Sequence, residues 1–224
     1  MKQRALLGYL SLITFVLTLI WLILLITGIV IAGPLETYEQ VLGNVSKLDW
    51  LYYLSYLNAA LTVIAATLLF TGMYLYCRTL APAAALMGLA FVPVYATLNL
   101  FVYLSQVSIV PGLIELRQTP ELTAAADLLL RQMIQQLPSS GVAFFNNVAY
   151  AILGIPSILF GWLLSQQNRR LRLAGTLLAL NGFACLLGIV GILVGNDLLR
   201  NGSVLGGILF LLALIPLSRG MLTE

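Results

Sequence analysis

The stretch LGYLSLITFVLTLIWLILLITGIVIA, residues 7–32, contains 26 consecutive residues without Asp, Glu, Lys or Arg. A helix rises 1.5 Å per residue and a bilayer's hydrocarbon core is about 30 Å thick, so about 20 apolar residues suffice to cross it. The segment is long enough to span with some tilt. It follows Lys2 and Arg4, as a secretory leader would, but its apolar run far exceeds the ~7–15 residues of a leader's core. Val30-Ile31-Ala32 is also a poor cleavage site, so the segment reads as a retained helix.

Five further stretches are of the same kind: 51–77, 80–106, 142–165 and 203–218, all without Asp, Glu, Lys or Arg, and 171–195, whose one charged residue is Arg172 at its start. The stretch 203–218 is the shortest, with 18 residues between Arg200 and Arg219. That gives about 27 Å of helix, just enough to cross. The whole chain agrees: 61% of its 224 residues are hydrophobic and 8% charged, with a mean hydropathy of +1.01. Soluble domains carry roughly 25% charged residues, so a water-soluble fold is excluded. The sequence predicts an all-α, six-helix transmembrane bundle forming one integral membrane domain over residues 1–224.

Charge reports orientation. Lys and Arg near helix ends are costly to translocate and stay cytoplasmic. With the N-terminus inside, Lys2, Arg4, Arg78, Arg169, Arg170, Arg172 and Arg219 fall inside, whereas Lys47, Arg117, Arg131 and Arg200 fall outside. Only Glu224 among the acidic residues falls inside. Both termini are therefore expected in the cytoplasm.

The second external segment, 107–141, contains an amphipathic helix candidate over 119–137 between the third and fourth spans. Thr119 can cap it with Pro120 at the first helical position, where a missing N–H costs nothing. Leu122, Ala126, Leu129, Met133 and Leu137 recur at helical spacing, and Asp127 is positioned to pair with Arg131 at i,i+4. Such a helix lies at the interface or caps the bundle. In the first external segment Asn44-Val45-Ser46 matches a glycosylation acceptor, relevant only to a eukaryotic secretory pathway.

Much chemistry is excluded by missing residues. The chain has no histidine, and the one charged residue within the predicted spans is Arg172, at the cytoplasmic end of the fifth. Haem or zinc ligation through His, Ser-His-Asp catalysis and proton relays through intramembrane carboxylates all lack their groups. Cys77 and Cys185 suit neither a disulfide nor a metal and read as core residues. No cofactor is expected. The net charge of +3 arises from topology-setting loops and does not indicate nucleic-acid binding.

Neutral polarity remains, gathered in the outer half of the predicted spans. Asn58 lies in the second, Tyr95, Asn99 and Tyr103 share a face of the third at i, i+4, i+8, and Asn146, Asn147 and Tyr150 lie in the fourth. Unpartnered amides are expensive in hydrocarbon, so these faces are expected to converge on an outward cleft between the second, third and fourth spans. Such a cleft offers hydrogen bonds and aromatic faces without fixed charge, suiting a lipid or a small neutral or amphiphilic ligand. The competing reading is hydrogen bonding between helices at ~0.6 kcal/mol each, with Tyr52, Tyr53 and Tyr103 in the outer aromatic belt.

Gly191, Gly195, Gly202 and Gly206 form small-xxx-small pairs and are expected to pack helices five and six closely. Pro93 and Pro156 are expected to kink the third and fourth spans.

The segment Ala151-Ile152-Leu153-Gly154-Ile155-Pro156 through Gly161-Trp162-Leu163-Leu164, the basic turn into Leu173-Ala174-Gly175, and the amphipathic segment 115–137 together resemble the bacterial six-pass membrane proteins grouped as domain of unknown function 4386. The turn departs from the family's Pro-Arg-Trp-like pattern, having Asn168-Arg169-Arg170-Leu171-Arg172 instead. The resemblance implies a bacterial inner-membrane location and carries over no catalytic residue.

Function is narrowed to a non-enzymatic membrane protein that binds a lipid or amphiphile, or acts as a membrane-embedded partner or sensor. The alternative is a transporter or channel for a small neutral solute. Expected partners are membrane lipids, with a homo-oligomer or a membrane protein partner left open.

Overall fold

The computed structural model describes residues 2–223, with the side chain of Lys2 left aside. Nine α-helices and no strand occur among the described residues. They are α1 (Lys2–Ala32), α2 (Tyr38–Val45), α3 (Trp50–Cys77), α4 (Pro82–Leu116), α5 (Thr123–Met133), α6 (Gly141–Ser165), α7 (Arg169–Val194), α8 (Asp197–Arg200) and α9 (Gly202–Leu222), with a 3-10 turn at Pro120–Leu122. Six candidate spans, α1, α3, α4, α6, α7 and the segment Asp197–Leu222 that comprises α8 and α9, are long and apolar enough to cross a membrane. The chain is a membrane protein.

Sequence neighbours pack side by side, α1 on α3, α3 on α4, α4 on α6, α6 on α7 and α7 on α9, and α9 returns to α1. The six helices therefore close a ring of alternating direction. A ring could surround a channel, but this one is filled. Phe70 of α3 lies 6.0 Å from Phe160 of α6 and stacks on Phe210 of α9 at 6.2 Å, all three buried. Met73, Leu164, Leu171, Leu214 and Leu217 fill the half beyond them, toward the Arg78 and Arg169 end. Large apolar side chains such as Ile29, Leu61, Trp162 and Phe183 are exposed on the outside of the ring, where a water-facing surface would be charged.

Backbone-to-backbone approach at α7 is set by glycine on both of its sides. Toward α6, a Cβ on Gly161 would stand 2.6 Å from the Gly175 carbonyl oxygen, and one on Gly154 2.7 Å from that of Gly182. Toward α9, a Cβ on Gly202 would meet the Gly188 amide at 2.7 Å, and one on Gly206 the Cys185 sulfur at 2.5 Å. A Cβ on Gly191 would meet Leu199 at 2.7 Å, where α8 approaches. Gly195 packs against nothing; it takes φ +68° and ends α7, with the Asn196 amide donating to the Gly191 carbonyl. It is a helix stop and not a packing residue, because the left-handed turn favours a residue without Cβ.

Helix α4 continues ten residues beyond the expected 106, through Pro111 to Leu116. The helix packs against α5, and Val110 in its extra turns is buried. Neither Pro93 nor Pro156 interrupts its helix. The amphipathic segment is shorter than expected. Thr119 precedes a 3-10 turn and makes no side-chain cap, and α5 stops at Met133. The stop comes from Gln106 of α4, whose amide donates to the Met133 carbonyl (2.8 Å) and accepts from the Gln135 N–H (3.1 Å). These bonds satisfy backbone groups that further helix would have paired.

Asp127 does not pair with Arg131. It accepts from Arg117 Nε at 2.6 Å and from the Tyr38 hydroxyl at 2.9 Å, while Arg131 stacks on the Tyr38 ring at 3.7 Å and faces Glu39 at 3.8 Å. Longer-range partners, Arg117 at the end of α4 and Tyr38 and Glu39 of α2, replace the i,i+4 pair because their side chains reach α5. Helix α2 itself starts with a capping box, the Thr37 hydroxyl receiving the Gln40 N–H and the Gln40 side chain the Thr37 N–H. Arg117 holds the Asp127 carboxyl below the usual carboxylate range, and desolvation together with Asp127 pushes the Tyr38 hydroxyl up to about 12.

Candidate functional site: a cavity beside a tyrosine series

Helices α3 and α4 present tyrosines to each other at the end of the bundle that carries α2 and α5. Tyr52 and Tyr56, one turn apart on α3, have ring centroids 4.9 Å apart, and the Tyr52 hydroxyl donates to the Gln106 carbonyl at 2.8 Å. Tyr103 of α4 follows at 6.5 Å from Tyr56. Its hydroxyl meets that of Tyr150 on α6 at 2.7 Å, and Tyr150 lies 6.4 Å from Tyr95. The series connects three helices. Tyr52 and Tyr103 are buried against protein, 8% and 3% exposed, so neither belongs to a lipid-facing aromatic belt.

Beside the first half of this series lies a cavity of about 540 Å³, within the ~300–1,000 Å³ usual for small-molecule sites. One wall is apolar and comes from α1: Trp21, Leu24, Leu25, Gly28 and Ile29. The opposite wall carries Ser55, Tyr56 and Tyr103, with Gln135 and Gln136 from the turn after α5 above them, and Lys47 and Asp49 also contribute to the lining. Ile29 and Ile31 line the cavity and are 60% and 65% exposed, so its α1 edge reaches the outer surface of the ring.

The predicted residues divide among three places. Tyr103 lines the cavity. Asn58 does not reach it: its amide donates to the Leu17 carbonyl of α1 at 3.1 Å, fastening α3 to α1. Tyr95, Asn99 and Tyr150 lie deeper, between α4 and α6. Asn146 and Asn147 line a smaller hollow of about 250 Å³ near the start of α6. There Asn147 accepts from the Ser203 hydroxyl of α9 at 3.0 Å and donates to the Ala143 carbonyl at 2.9 Å.

The cleft thus lies between α1, α3 and α4 and not between the second, third and fourth spans. The reason is physical. Counting polar side chains finds only polar walls, and half of this cavity is aliphatic helix. Ser55 lies on the polar face of the second span that the sequence marked with Asn58, whereas Tyr56, Gln135, Gln136 and Gly28 were not among the predicted residues. Gly28 had a legible signal as the lone small residue in the aliphatic run 19–31 apart from Thr27, but nothing in the sequence says which helix faces it.

Polar groups continue inward beyond the cavity. Asn99 is fully buried, and neither its amide nitrogen nor its oxygen has a hydrogen-bond partner. Tyr95, one turn away, is a polar neighbour without meeting hydrogen-bond geometry. The Ser157 hydroxyl and the Asn181 amide oxygen are likewise buried and unpartnered, while Asn181 donates to the Gly206 carbonyl at 2.9 Å. Below them the core is aliphatic and phenylalanine. No cluster of metal-ligating residues occurs among the described residues.

No family model, curated protein or solved structure matches the chain.

Proposed function

We propose that the protein is a non-enzymatic binder of a single-chain lipid or similar amphiphile, held in the cavity between α1, α3 and α4. The observation that carries this reading is the division of the walls, aliphatic on α1 and tyrosine, serine and glutamine opposite. An apolar chain would lie along α1, entering past Ile29 and Ile31, while hydroxyl and amide groups hold its polar end. Preformed cavities that are mostly apolar, with few convergent polar groups, are the usual form of ligand sites.

Transport of a neutral solute is the second reading, favoured by the buried amides that continue to Asn99 and Asn181. It is weaker, because Phe70, Met73, Phe160, Leu164 and Leu171 fill the core beyond them. A solute that passed Asn181 would have to part these side chains. A dead end fits binding or sensing.

The reading also places both termini in the cytoplasm and the cavity on the opposite side, on the positive-inside sorting of Lys and Arg. A bacterial plasma membrane is supported by the resemblance in 151–175.

Gly28→Phe tests the proposal, since a Cβ at Gly28 meets nothing within 4 Å and the ring would project where the cavity is. Thermal unfolding in detergent is followed as single-chain phospholipids are added. The wild type is expected to be stabilised saturably, by roughly 2–3 kcal/mol at 100 times the dissociation constant. The variant should show little of this. Equal stabilisation of both would contradict the proposal.

A further inference from the structure

The smaller hollow carries a different chemistry from the cavity. Its polar lining consists of Gln135, Gln136, Asn146, Asn147 and Asn201, with Arg200 as its one charge. Arg200 donates to the Pro138 carbonyl at 3.3 Å and makes no ion pair among the described residues, Asp197 three residues earlier included. The other two arginines at this end, Arg117 and Arg131, each face a carboxylate. The Asn146 amide oxygen is buried without a partner, so the hollow also holds an acceptor that needs a donor. Gln135 and Gln136 line both the hollow and the large cavity, and Gln136 lies against Tyr56.

We propose that this hollow is the headgroup subsite of the same ligand, selecting an anionic head that carries hydroxyl groups. The inference rests on the cavity binding the chain. With its apolar part along α1, the ligand passes the Gln135–Gln136 turn and sets a phosphate or carboxylate oxygen against the Arg200 guanidinium. Guanidinium presents paired N–H groups that match such oxyanions. A hydroxyl of the head donates to the Asn146 oxygen, and the remaining amides both donate and accept. A head without an oxyanion would leave Arg200 unpaired, and one without a hydroxyl would leave the Asn146 oxygen unsatisfied, so either binds less tightly.

The test compares two chain-matched probes in dodecyl maltoside, lysophosphatidylglycerol and a monoacylglycerol that has the hydroxyls but no phosphate, by titration of the whole chain. The wild type should bind the phosphoglycerol head about tenfold more tightly, the factor one charge-assisted hydrogen bond supplies. Arg200→Gln should bring lysophosphatidylglycerol down to the affinity of the monoacylglycerol, and Arg200→Lys should keep most of the preference. Gly28→Phe should weaken both probes alike. Equal affinities in the wild type, or a preference that survives Arg200→Gln, overturn the subsite, and sensitivity of both probes to Gly28→Phe then leaves the cavity reading standing. If neither probe saturates, the cavity reading falls and the subsite with it.

Discussion

Asn99 and Gln106 sit two turns apart on one helix, both fully buried, and the structure uses them oppositely. Gln106 bonds to the Met133 carbonyl and the Gln135 amide, so its removal strands two backbone groups. Asn99 bonds to nothing. An unsatisfied buried polar group costs about 1–3 kcal/mol, whereas replacing it by an apolar group of similar shape is neutral or stabilising. The ~0.6 kcal/mol of an average interhelical bond does not cover that cost, so polar glue is no account of Asn99. Gln106→Leu is expected to lower stability by about 1–3 kcal/mol, and Asn99→Leu to raise it or leave it unchanged. Thermal unfolding in detergent measures both, and a substantial loss in Asn99→Leu would show that the amide has a partner in the folded protein.

At the scale of elements, α5 is a strap fastened by side chains from α2 and α4. Its ionic tie is Asp127 to Arg117, with Tyr38 beside it. Because Arg117 depresses the Asp127 carboxyl, the tie's contribution is present above the ordinary carboxylate pKa of about 4 and is lost only as pH falls through the lower folded value. Titration of the Asp127 carboxyl by NMR should therefore give a midpoint below that of an unperturbed aspartate, moving up in Arg117→Gln. A midpoint at or above 4 in the wild type would mean that the pair does not form. The strap also shows what the sequence discloses. Helical spacing over 122–137 located the element, since one face had to be buried. Its end at Met133 was not legible, because Gln106, 27 residues earlier, determines it. Asp127 and Arg131 were read as a local pair for the same reason: their true partners, Arg117, Tyr38 and Glu39, come from neighbouring segments. The capping box at Thr37 and Gln40 was legible and would have placed α2. Glycine behaved likewise, since Gly191, Gly202 and Gly206 lie where backbones touch, but only the fold separates them from Gly195, which ends a helix.

The molecule as a whole is a ring of six spans, filled by apolar side chains at the Arg-rich end and hollowed at the other. The six spans were legible because hydrocarbon tolerates only long uncharged helices. Ring closure was not, as it depends on α1 meeting α9 across the whole length of the chain. The cavity was half legible: tyrosines and amides marked one wall, and the aliphatic α1 wall was indistinguishable from lipid-facing surface. The central claim is that this cavity holds an amphiphile. Native mass spectrometry of protein extracted gently from its membrane tests it most directly, by comparing wild type with Gly28→Phe. The account predicts a discrete adduct of one lipid-like mass per wild-type chain and its absence from the folded variant. A folded wild type that emerges bare, or with the same adducts as the variant, would contradict it.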